Sequence, residues 1–301
     1  MTRIKLTAVL CTASATVATA VLVGAAASHA DVRSREGTTP RFAGFPPVGV
    51  RATMPPTGRL VLALTTASAE WDVYADGWVL WQKWTPSGDA AVLPKGARRF
   101  ETGYVLQRLT LRGVRLLRSK ILATGLFEHN LWLEVGKRHS WVFHRVRRGD
   151  RMVTVAGVPS PDPSWKERFT KATPAQTRAL ARIAALVAPA RSLPTSVWAD
   201  RRIRAFVPAR YLVAFDRSYP DVSKLPSPAG EVLSRYKLLR RDACQILRTG
   251  QARALLQAFA KAGIAPAENH ARYIGFDFRG LGFRRPSELH LFPALPGVSR
   301  C

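Results

Sequence analysis

A chain of 301 residues with 47% apolar content is long enough for one large domain or two modest ones around a real core. With aromatic residues at 9% and only 20 acids, it is not of the acid-rich, aromatic-poor class that stays unfolded. The formal charge of +26 rests on 36 Arg and 10 Lys, which points to a polyanionic partner, although a GC-rich genome also raises arginine use.

Residues 1–30 read as a secretory signal peptide. Arg3 and Lys5 precede an uncharged run, and Ser28-His29-Ala30 offers small residues at −3 and −1 for cleavage before Asp31. The alternative is an uncleaved N-terminal membrane anchor, because the uncharged run is long enough to span a bilayer. Removal of the signal takes Cys11 with it and leaves Cys244 and Cys301 in an oxidising compartment. One bridge is the simplest outcome, stabilising by about 4 kcal/mol on the loop-entropy model; two unpaired thiols are the alternative.

Residues 31–58 are rich in Pro, Gly, Arg and Thr and read as a flexible linker. Order is expected from LVLAL at Leu60 onward, followed by the hairpin WDVYADGWVLWQKW. Asp76-Gly77 predicts a two-residue type I′ turn that pairs Ala75 with Trp78, Val73 with Leu80 and Trp71 with Gln82. That register collects Trp71, Val73, Trp78, Leu80 and Trp84 on one face. Tyr74 and Trp81 fall on the other, as candidates for an exposed binding surface, with Glu70 opposite Lys83.

A helix capped by Thr110 is expected to cover the apolar face through Val114, Leu117 and Ile121, ending at Gly125. Arg112 and Arg115 lie off that stripe, free for solvent or a partner. Strands LWLEV, SWVFHRV and RMVTVAGV lead to a second helix. Its start carries the capping box Thr173-Pro174-Ala175-Gln176, and its stripe is Leu180, Ile183 and Val187. A third helix is expected after a Thr249 cap, with strands at YLVAFD, at Ile274 to Phe278 and at Leu289 to Phe292. The recurrence suggests a degenerate repeat of strand-strand-helix units.

Catalytic and cofactor signatures are absent from the sequence: no GxSxG elbow, P-loop, HExxH or zinc-spaced Cys/His cluster. His139 and His144, five apart in a strand, fall on opposite faces and do not suit a shared metal. Basic pairs at Arg98-Arg99, Arg147-Arg148, Arg201-Arg202, Arg240-Arg241 and Arg284-Arg285 could face phosphates, or could be scattered solvated charge. They accompany no nucleic-acid-binding motif.

The segment Cys244-Gln-Ile-Leu-Arg-Thr-Gly250, Ala254-Leu255-Leu256, the stretch PALPG and terminal Cys301 resemble uncharacterised exported proteins of high-GC Gram-positive bacteria. The Asp-Gly hairpin and the run YVLQRLT followed by GVRLL resemble their N-terminal part. The resemblance implies export and a Cys244–Cys301 bridge, and it implies no activity.

The expected fold is α+β, with antiparallel sheets each covered by a helix. The expected divisions are a signal peptide (1–30), a linker (31–58), an N-terminal domain (59–195) and a C-terminal domain with the disulfide (196–301). The expected function is that of a secreted or cell-envelope protein without enzymatic activity or cofactor. Its partner would be an anionic wall polymer, a membrane surface or another exported protein, and not nucleic acid. The alternatives are an inhibitor or modulator of a secreted protease, and a hydrolase with an unrecognised site.

Overall fold

The computed structural model describes residues 45–46, 48–83, 104–137, 139–187, 193–216, 225–238, 244–269, 274–278 and 288–297. The signal segment, Trp84, Cys301 and the pairs at 98–99, 240–241 and 284–285 lie outside them.

The chain is α+β. Its first part runs β1 (Leu60–Thr66), β2 (Ala69–Tyr74), β3 (Trp78–Lys83), β4 (Val105–Leu109), α1 (Leu111–Leu122), β5 (Leu131–Glu134), β6 (Val142–Arg148) and β7 (Arg151–Val158). It continues with β8 (Thr170–Lys171), α2 (Pro174–Val187) and β9 (Trp198–Ala205). Among the described residues these strands form one nine-stranded sheet, ordered β8-β5-β7-β6-β1-β2-β3-β4-β9. Pairing is antiparallel except where β5 runs parallel to β7 and β8.

Both helices cover the same face of that sheet. Val114, Leu117 and Ile121 of α1, with Ala179, Leu180 and Ile183 of α2, share a core with Leu62, Leu64, Trp71, Val73 and Trp81. Their starts follow the expected cap chemistry. Thr110 Oγ1 accepts from Gly113 N at 3.0 Å. Thr173 and Gln176 exchange reciprocal bonds of 3.2 and 2.9 Å.

The first two expected repeat units therefore merge into one sheet. The N-terminal unit also extends beyond residue 195, because β9 pairs with β4. A boundary at 195 would strip the sheet of its edge strand.

The second sheet, ordered β11-β10-β14-β13-β12 among the described residues, comprises β10 (Arg210–Asp216), β11 (Cys244–Arg248), β12 (Glu268–Asn269), β13 (Ile274–Asp277) and β14 (Glu288–Pro293). Its cover is α3 (Ala229–Arg235) and α4 (Thr249–Lys261), through Val232, Leu233, Leu255 and Phe259. Thr249 does not cap α4. Its hydroxyl donates to Pro208 O at 3.0 Å, while Gln251 Oε1 accepts from Arg248 N at 2.9 Å.

The described part of 45–58 is tied down rather than free. Phe45 stacks on Tyr211 with ring centroids 4.6 Å apart and lies under the Arg253 guanidinium. Thr53 exchanges bonds with Val207, and Asp76 accepts from the amides of Thr57 and Gly58. A buried aromatic ring and satisfied backbone groups outweigh the flexible composition.

The hairpin departs from the expected register by one residue. Val73 pairs with Val79, Asp72 with Leu80, Trp71 with Trp81 and Glu70 with Gln82. The connection is a three-residue loop, Ala75-Asp76-Gly77, with Gly77 at φ +90° and its amide donating to Tyr74 O at 3.0 Å. A turn closed by a left-handed glycine uses the same Asp-Gly pair as a two-residue turn, and that difference moves every side chain on β3 to the opposite face.

Candidate functional site

The slipped register and the cover on the sheet's second face together remove the expected aromatic surface. Trp81 turns into the helix-covered core, where its ring stacks with Trp71 and its Nε1 donates to Gln107 Oε1 at 2.9 Å. Tyr74 is also buried, on the opposite face, and its hydroxyl donates to Pro296 O at 2.8 Å. Neither side chain is available to a ligand from solvent.

Arg112 and Arg115 are exposed on α1, as expected. Their helix is held close to the chain entering β9. Thr110 N donates to Val197 O at 2.9 Å, and a Cβ on Gly113 would lie 2.4 Å from that same oxygen. β9 exposes Arg201, Arg202 and Arg204. Arg204 pairs with Asp200 Oδ2 at 2.7 Å, while Arg202 N donates to Asp200 Oδ1 at 2.8 Å. These bonds hold the Asp200 carboxyl below the usual carboxylate range, the backbone amide contributing most. Arg112, Arg115, Arg201 and Arg202 have no acidic partner among the described residues. The result is an arginine-bearing edge beside the first turn of α1.

Other arginines are engaged in holding the fold. Arg147 donates to Leu60 O and Arg118 to Arg147 O. Arg148 bonds Phe127 O and Glu128.

The sheet face away from α1 and α2 holds polar groups that the sequence reading did not single out. Asp72 is fully buried and neither of its oxygens has a hydrogen-bond partner among the described residues; both polar ends of Gln82 and the Nε of Arg145 are likewise unpartnered among them. Cross-strand pairing places Asp72 between Ala63 and Leu80, Arg145 beyond Ala63, and Gln82 opposite Glu70. Glu70 accepts from the Tyr104 hydroxyl at 3.0 Å. Burial pushes Asp72 well above its ordinary range, Glu70 adds to this and Arg145 opposes it. A signal was present in WDVYADG, where an acid two residues along a strand from Glu70 must share its face.

His144 lies on the other, helix-covered face, opposite Leu64, and burial pushes it down to about 4. His139 is exposed.

Cys244 begins β11, opposite Ala214. Among the described residues no group of three or more acids, histidines and cysteines could hold a metal ion. No helix among them is long and apolar enough to cross a membrane. No family model matches the chain, and no curated protein matches it.

Proposed function

We propose that this is an exported, extracytoplasmic protein without catalytic activity that binds an anionic partner through the arginine-bearing edge of α1 and β9. The observation that carries the reading is local. Arg112, Arg115, Arg201 and Arg202 are exposed on adjoining elements, and the guanidinium group of none of them is in an ion pair among the described residues. In a chain of net charge +26, such groups gain more from an anion than from further solvent.

The direct test is retention on isolated cell wall and on anionic vesicles across a salt series. Retention should fall more than tenfold between low and high salt, because exposed charges are screened within a few ångströms at high ionic strength. Replacing the four arginines with glutamine should lower low-salt retention by at least the same factor. Retention indifferent to both salt and these substitutions would remove the reading.

Export and the Cys244–Cys301 bridge belong to the same proposal. An oxidising destination suits a pair of cysteines that remain after signal cleavage. The intact mass of the exported protein is expected to begin at Asp31 and to show no thiol reactive towards alkylation before reduction. A mass that includes Met1 would end the cleavage proposal, and two alkylated thiols would end the bridge.

A further inference from the structure

We infer that the partner bound at this edge is a polypeptide whose acidic, extended segment pairs with β9 as an added strand. The inference rests on the anionic-partner reading and names the partner class. β9 is an end strand of the nine-stranded sheet, and no further strand pairs with its outer side among the described residues. Leu106 and Arg108 pair with Arg204 and Asp200, so Arg201, Arg202 and Ile203 all lie against Gln107. This bulge interrupts the ladder with β4 and carries Arg201 and Arg202 at the surface.

One peptide unit shows what the edge recognises. The carbonyl of Arg201 faces β4, where Gln107 Nε2 donates to it at 2.9 Å. In a trans peptide the Arg202 N–H points the opposite way, away from the Gln107 amide. Asp200 occupies that side, accepting from the Arg202 amide at 2.8 Å and pairing with the Arg204 guanidinium at 2.7 Å. A carboxylate held by both a strand amide and an arginine is the arrangement that an acidic strand would reproduce from outside. Asp200 is the placeholder.

Other occupants fit less well. A second copy would set Arg201, Arg202 and Arg204 against like charges, which destabilises strand pairing. A polyphosphate satisfies guanidinium groups but has no donors or acceptors in register with a strand. Only a polypeptide complements both the charges and the backbone.

The test uses the exported protein and a fluorescent peptide of alternating Glu and Val, read by anisotropy. Comparators are the same peptide N-methylated at alternate amides and an inorganic polyphosphate of equal charge. The unmodified peptide is expected to bind at one site and at least tenfold more tightly than its N-methylated form. It should also slow hydrogen exchange across 198–205. Asp200→Ala, which vacates the placeholder, should tighten its binding severalfold. Equal binding of both peptides, or an affinity untouched by Asp200→Ala, would overturn strand addition while leaving the anionic reading in place. Failure of every anion to bind would overturn both.

Discussion

Gly77→Ala is expected to destabilise the protein by about 2–4 kcal/mol, read as a lower denaturation midpoint at unchanged slope. Two effects combine. Gly77 sits at φ +90°, where a side chain meets its own backbone, at a penalty of about 1–2 kcal/mol. In addition, a Cβ there would lie 2.3 Å from Leu109 O, the last residue of β4 and the approach to α1. The obstacle is main chain, so it cannot move aside as a side-chain tip can. The contact also serves pairing, since Gly77 O accepts from Leu109 N at 2.8 Å. Gly149→Ala separates the two contributions. Gly149 has φ +57° with nothing within 4 Å of the added atom, so it should show the conformational penalty alone, about 1 kcal/mol. Equal losses at the two positions would show that close approach to Leu109 contributes nothing.

Asp72→Asn is expected to stabilise the protein at neutral pH by about 1–3 kcal/mol, because it removes an ionisable group buried without a partner among the described residues. The pH dependence gives the sharper result. The folded-state pKa of Asp72 is raised above its unfolded value, so the native state keeps a proton that the unfolded chain has lost. Its stabilising contribution is complete below the ordinary aspartate range and is lost as pH rises through the raised folded value. The gap between Asp72→Asn and the parent should thus be near zero in acid and widen towards neutrality.

His144 works the other way. With its value lowered to about 4, it favours the native state above the ordinary histidine range, and that stability is lost as pH falls towards 4. Both proteins contain His144, so its contribution cancels in the difference. Urea titrations of the two proteins from pH 4 to 8 measure that difference directly. A gap of constant size, or an Asn variant less stable at pH 7, would refute the assignment.

How much of this was legible in the sequence depended on whether a signal was local. The caps at Thr110 and Thr173, the α1 stripe and the existence of the hairpin rest on contacts a few residues apart, and each is present in the fold. The hairpin register was not legible. Asp76-Gly77 suits a two-residue turn and a three-residue turn alike, and only burial of Trp81 beside Gln107 separates them. The two-residue register puts Trp81 at the surface for that one reason, whereas Tyr74 keeps its expected face and is buried because Leu60, Leu80 and Leu295 cover it.

The orphan group at Asp72 was not legible either. Its neighbours Ala63, Leu80 and Arg145 come from three strands, and nothing in the spacing of residues along one strand announces them. Membership of β9 in the first sheet is likewise set by pairing with Val105–Leu109, far back in the chain. By contrast Arg112 and Arg115 could be placed correctly, because helical periodicity alone decides which face they take.

The bond from Tyr74 to Pro296 carries a consequence for the order in which the molecule completes itself. The two residues are 222 positions apart, and Leu295 packs with Leu60, Ala63, Tyr74 and Leu80 on the sheet face away from α1 and α2. A chain produced from its N-terminus can pair β1 to β9 long before residue 295 exists. Until then that face lacks its final cover and the phenol lacks its acceptor. The first sheet to be made is the last to be finished, and a chain cut short before Leu295 would carry a pairable sheet with an open flank.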